Sequence, residues 1–268
     1  GISFGKKTHQ KRDCFDNGLF FWYNSQMDAK YKQGVAIGSN REMEKKINVL
    51  GVELDNCQVD EAMEIVSEYM QNDVLNTIGI VTMQMLLLAN EDEQWKTYLK
   101  DLDMSIIGET EILTAAGIEE DSTLYEEVET NEFIARLFWY LIQTGSRIFV
   151  LGETEDEVES LEKYLQETYP GIQVAGGAVV ESLDEAGVDS LLNEINSETA
   201  DVIVSGLKGT LQDRFVMDNR SKISAKIWLS LGEHPTVQNE AGIKISWWGK
   251  LLKKNTFKRM VTKYKNEQ

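Results

Sequence analysis

The chain has only two cysteines, Cys14 and Cys57, and they stand far apart. They match neither a CxxC motif nor a zinc-ligand spacing, so the expectation is a reducing, cytoplasmic compartment with no structural metal. Long apolar runs are missing too. The longest, such as Met83 to Ala89, fall well short of the ~18–20 residues that cross a bilayer. Residues 1–18 hold no apolar signal-peptide core, so neither a membrane span nor export is expected. There is no GxGxxG turn, phosphate-binding P-loop or nucleophile elbow, which sets aside the chemistries that carry those signatures. No cofactor is expected, and no internal repeat or low-complexity segment is present.

What remains is ample for folding. The 268 residues are 42% hydrophobic and 9% aromatic, enough for one large domain or two small ones. The net charge of −18 is spread unevenly: residues 1–46 carry nine Lys/Arg against five Asp/Glu, and residues 244–268 carry eight against one. The middle is therefore more acidic than the total. Such a body repels phosphate backbones, which excludes a nucleic-acid groove in the core; its plain role is solubility.

The middle also has a rhythm. KINVLGVEL (46–54) reads as one strand, and Asp60 as the cap of a helix carrying Ala62, Ile65, Val66 and Tyr69 on one face. TIGIVT (77–82), DMSII (103–107) and SRIFVL (146–151) read as buried strands, each followed by a helical stretch. From Arg147 a strand, a helix ended by Tyr169-Pro170-Gly171, and the strand GIQVAGG make a unit of the length that a parallel crossover needs. Helix 183–195, strand 200–207, helix 211–220 and strand 225–232 follow. This alternation predicts an α/β, Rossmann-like, doubly wound and mostly parallel sheet. Residues 1–46, with KKTHQKR and GLFFWY, lack the rhythm and read as an N-terminal arm. Residues 47–243 read as the main domain, and 244–268 as a basic C-terminal appendage.

Ligands of open parallel sheets sit beyond the carboxyl ends of the strands, so the loops after the strands are the places to look. These hold Thr82 and Gln84, Gly108 and Glu109, Gly152 and Glu153, Gly206 and Lys208, and Gly232 to His234. His234 has a structural reading as well as a catalytic one, and Lys208 reads equally as a phosphate partner or an exposed lysine.

In the order and spacing of these segments, above all GSRIFVLGETEDEVESLEKYLQETYPGIQVAGG and DVIVSGLKGTLQDRF, the chain resembles the WecG/TagA/CpsF glycosyltransferases over roughly residues 47–260. The resemblance implies transfer of an N-acetylhexosamine-type sugar from a UDP donor to a polyprenyl-diphosphate-linked acceptor at a membrane, without a metal motif. It implies Thr82 in the catalytic pocket. Glu109, one position from the family's aspartate, becomes the candidate base. Gln84, Gly152, Gly206, Gln212 and Asp213 become candidate substrate contacts. Several positions depart from the family pattern: Gly108 stands at the aspartate, Glu127 at an arginine, Thr130 and Glu153 at glycines, and Thr236 at an aspartate. Glu127 and Glu153 would bring negative charge toward a diphosphate. Two readings of function therefore stand: an active UDP-sugar transferase using Thr82, Glu109 and Gln212, or a catalytically silent scaffold that pairs with an active one.

The tail reads IKISWWGKLLKKNTFKRMVTKYKNEQ. Trp247 and Trp248 with Lys250, Lys253, Lys254, Lys258 and Arg259 suit a helix lying on an anionic membrane. The other reading is a helix packed on the acidic body. With the family resemblance, the expected location is peripheral, at the inner face of the cell membrane. The expected partners are a UDP-sugar, a polyprenyl-linked glycan, the membrane surface, and a protein partner or second copy of the chain.

Overall fold

The computed structural model describes residues 46–180, 184–231 and 247–267. The arm expected over 1–46 lies outside them, except for Lys46, as do His234, Thr236 and the side chains of Trp247, Trp248 and Lys250.

The segment expected as one strand is a hairpin. β1 (Lys46–Val49) pairs antiparallel with β2 (Val52–Asp55). Leu50 and Gly51 between them both take positive φ, 55° and 76°, as a two-residue hairpin turn requires. Leucine resists that conformation, but here its side chain is buried in the core. α1 (Val59–Tyr69) follows, capped by Gln58 rather than Asp60. The backbone N–H of Gln58 donates to Glu61, and Asp60 instead pairs with Arg136.

The remaining elements alternate as expected. β3 (Asn76–Val81) leads to α2 (Met83–Glu91) and α3 (Glu93–Lys100); β4 (Met104–Ile107) leads to α4 (Thr110–Ala116), α5 (Thr123–Glu129) and α6 (Glu132–Thr144). β5 (Arg147–Gly152), α7 (Glu155–Thr168), β6 (Gln173–Val179), α8 (Glu185–Ser197), β7 (Val202–Ser205), α9 (Gly209–Asn219) and β8 (Ile227–Ser230) complete the sheet, and α10 (Trp247–Glu267) forms the tail. Six parallel strands run in the order β4-β3-β8-β7-β5-β6.

The strands are apolar on both faces, so alternate residues feed two cores. Ile148, Val150, Val202, Val204, Ile227 and Leu229 pack with α1, α6 and α7. Phe149, Leu151, Ile203 and Trp228 pack with α2, α3, α4, α8, α9 and α10 on the other face. Continuous apolar strands need this double cover, and the doubly wound, Rossmann-like α/β class follows.

The β4 edge is closed by the hairpin. The Asp55 carboxylate accepts hydrogen bonds from the Ser105 backbone N–H and hydroxyl, 2.8 and 2.9 Å, and the Asp55 N–H donates to Ser105 Oγ at 2.8 Å. A charged group aimed at edge backbone both occupies it and discourages pairing with another chain.

Candidate functional site

Topology selects one place for a ligand. β5 and β7 are neighbours, yet the chain leaves β5 for α7 on one face and β7 for α9 on the other. Their carboxyl ends therefore part, which is the switch point where open α/β sheets bind ligands. A cleft of about 430 Å³ lies there, lined by Thr82, Gln84, Leu88, Trp95, Glu153, Leu207, Lys208 and Gln212 among others.

Each lining residue is placed by its element. Thr82 is buried at the end of β3 and caps α2, its hydroxyl accepting from the Met85 N–H at 3.3 Å. Glu109 is not among the residues lining the cleft; it stands at the N-cap position of α4, and its carboxylate accepts the Met83 N–H. Thr82 and Glu109 thus meet at the positive end of α2, where an anionic carboxylate is favoured. Gln84 lines the cleft from the first turn of α2. Trp95 walls it; its Nε1–H donates to the Met85 carbonyl at 2.9 Å and its ring lies against Tyr98, centroids 5.0 Å apart.

Gln212 is fully buried on α9. Its Oε1 accepts from the Ser205 hydroxyl at 2.8 Å, while its Nε2 has no hydrogen-bond partner among the described residues. Asp213 is equally buried: Oδ1 accepts from the Arg214 N–H at 2.7 Å and Oδ2 has no partner among the described residues. Burial pushes the Asp213 carboxyl above its ordinary value, aided by Asp92 and opposed by hydrogen bonds and Arg214. Asp213 is not among the residues lining the cleft.

Gly152 and Gly206 answer to packing. A Cβ on Gly152 would stand 2.9 Å from Val158 Cγ2, and one on Gly206 would stand 3.2 Å from the Leu151 carbonyl. Neither lines the cleft.

The two glutamates expected to act together are apart. Glu153 lines the cleft, where its Oε1 accepts the Lys208 N–H at 2.8 Å. Glu127 instead accepts the Val59 N–H at the start of α1, at 3.1 Å, and lines a separate cavity of about 30 Å³ with Asp55, Cys57 and Gly108. Burial raises the Glu127 carboxyl, with Glu132 and Asp60 adding and the Val59 N–H and Arg136 opposing. Burial, with Asp55, Glu61 and Glu127 around it, pushes the Cys57 thiol up to about 12, which leaves it a poor nucleophile.

In the tail, Lys254 pairs with Glu111 on α4, and Phe257 is buried against the body with Met260, Val261 and Tyr264 beside it. Lys253 is half-buried, while Lys258 and Arg259 face solvent. The helix is therefore docked along one side and basic on the other. Among the described residues no helix is long and apolar enough to cross a membrane, and no group of three His, Cys, Asp or Glu side chains could hold a metal ion.

Sequence reasoning passed over Trp95 and Glu157. Trp95 sits in an ordinary amphipathic pattern, with no local signal to mark it. Glu157 reads as one more acid in the first turn of α7, although its carboxylate pairs with Lys208 across 51 residues.

A model of the glycosyl transferase WecG/TagA/CpsF family matches residues 47–241, from the hairpin past β8. The chain belongs to this family. Among curated proteins, it is similar to the N-acetylglucosaminyldiphosphoundecaprenol N-acetyl-beta-D-mannosaminyltransferases of Staphylococcus aureus strains NCTC 8325 / PS 47, COL and MRSA252. Each is 21% identical over 189 residues, covering 70% of this chain and 73% of the relative. The family match includes every residue lining the switch-point cleft.

Proposed function

We propose that this protein transfers an N-acetylhexosamine from a UDP-linked donor to a polyprenyl-diphosphate-linked sugar, at the inner face of a membrane where cell-surface polysaccharide or teichoic-type polymer is built. The observation that carries the reading is the meeting of Thr82, Gln84 and Gln212 in one cleft at the β5/β7 switch point. They come from segments that match the family, and the relatives' names specify an N-acetylmannosaminyl donor group and an N-acetylglucosaminyl-diphosphoundecaprenol acceptor. In the reaction an acceptor hydroxyl attacks the donor's anomeric carbon, the bond to the UDP oxygen breaks, and the hydroxyl proton passes to a base. Glu109 is assigned that role, because its carboxylate is held beside Thr82 at the start of α2. Gln212, with Oε1 fixed by Ser205, offers N–H donors to a phosphate or carbonyl oxygen of the donor. The solvent-facing bases Lys258 and Arg259, with Trp247, Trp248, Lys250 and Lys253, are assigned to the anionic membrane surface that carries the acceptor.

Transfer is tested with UDP-N-acetylmannosamine and UDP-N-acetylglucosamine and a lipid-diphosphate-linked N-acetylglucosamine acceptor in anionic vesicles, measuring UDP release. Release should require the acceptor, and Glu109→Gln should cut turnover by about 10²–10⁴-fold, the scale of a lost general base. Unchanged turnover would remove Glu109 from that role. The second reading, a silent scaffold beside an active transferase, is favoured by the Glu153 carboxylate at the cleft mouth. Vesicle binding without turnover for either donor would support it.

A further inference from the structure

The mouth of the cleft is built to hold an anion and already holds one. Glu153, in the loop after β5, has Oε1 on the Lys208 N–H at 2.8 Å and Oε2 4.0 Å from the Lys208 ammonium. A backbone N–H at the start of a helix together with a lysine ammonium is the pairing that seats phosphate oxygens. Glu157 completes the arrangement from the first turn of α7. One of its oxygens pairs with Lys208 Nζ and the other accepts the Glu153 N–H at 3.1 Å, so Lys208 and the loop backbone stay in place if the Glu153 side chain swings away. The same cleft is lined by Gln212, whose buried Nε2 has no partner among the described residues and so lacks an acceptor.

We infer that Glu153 is an internal occupant of the cleft's phosphate seat, which a diphosphate-bearing ligand must displace to reach Lys208 and Gln212. Glu153 therefore sets the affinity and charge selectivity of the site. The displacement is feasible because Glu153 and Lys208 are each about a third exposed, 31% and 29% at their side chains, so water can hydrate both groups as they part. The inference rests on the proposed function for the nucleotide part of the ligand, but not for the phosphate seat itself.

The test is calorimetric titration of the full chain with inorganic diphosphate, UDP and uridine. It compares the unaltered protein with Glu153→Gln, Glu153→Ala, Lys208→Met and the double variant Glu153→Gln/Lys208→Met. Thermal unfolding checks that each is folded. Removing the charge of Glu153 should tighten diphosphate and UDP binding roughly tenfold, the scale of one charge-assisted hydrogen bond. Uridine affinity should stay the same, and Lys208→Met should erase the gain in the double variant. If diphosphate tightens but UDP binds no variant, the phosphate seat stands and the nucleotide reading fails. If UDP binds and both Glu153 variants leave its affinity and that of diphosphate unchanged, the inference is overturned while the proposed function survives. Binding of neither anion by any variant would also overturn it.

Discussion

The strongest mechanical test concerns Phe257. It is 1% exposed, near the middle of α10, and shares the core with residues of α2 and α4. Truncation to alanine removes the one fully buried aromatic by which the described part of this helix enters the body, and Phe→Ala at such a site costs about 3–5 kcal/mol. For a body of this size each kcal/mol moves Tm by roughly 2–4 °C, so Phe257→Ala should lower Tm by roughly 6–20 °C. That full loss is observed only if α10 unfolds together with the sheet. A helix docked by less free energy than the truncation removes would detach first and cap the effect. Thermal unfolding by circular dichroism should therefore be paired with hydrogen exchange over residues 253–267. A coincident fall in Tm and in amide protection is expected. An unchanged Tm with reduced protection would overturn this picture of docking and make α10 an appendage, leaving all its basic residues available to a membrane.

Two further measurements follow from titratable groups. Burial pushes the Glu111 carboxyl up, but hydrogen bonds from Lys254 and the backbone, with the charges of Lys254 and Lys258, outweigh it and hold the group below its ordinary value. A depressed carboxyl gives stability that is present above its unfolded pKa and lost as pH falls through the depressed one. Protection of α10 should thus be flat from pH 6 to 8 and fall in acid, and Lys254→Met should weaken that acid dependence at a cost under about 1 kcal/mol, since the pair is partly exposed. A pH response undiminished in the variant would point to another group. Asp213 has the opposite sign: burial raises its carboxyl, so the charged form weakens the fold above the ordinary carboxylate range. Asp213→Asn should raise Tm at pH 7, with the gain shrinking toward pH 3, and a lower Tm at pH 7 would show that the fold needs the charge.

The local chemistry of the chain was legible without coordinates. Each sheet strand is a short apolar run because both faces are covered, and the helices between them carry apolar residues at helical spacing, although the cap expected at Asp60 falls at Gln58. Those signals depend on residues a few positions apart, so α/β alternation and family resemblance followed from order and spacing. The hairpin escaped because a leucine in the left-handed region leaves no compositional mark; only burial of Leu50 makes the turn worthwhile. The site residues were legible as a set of strand ends, but not as a site. Glu127 and Glu153 look alike in sequence, yet one accepts a backbone N–H at the start of α1 beside a small cavity and the other occupies the mouth of the cleft. The tail gave a basic pattern open to two readings, and the pairing of Lys254 with Glu111, 143 residues away, settled how one side of it is used. Which residues form the sheet strands and the helices between them was thus written in the chain, since those choices rest on near neighbours. The strand order, the parting of β5 and β7, and the seating of Glu153 on Lys208 came only with the folded arrangement. Each of these joins distant segments, selected by which apolar faces the two cores can bury together.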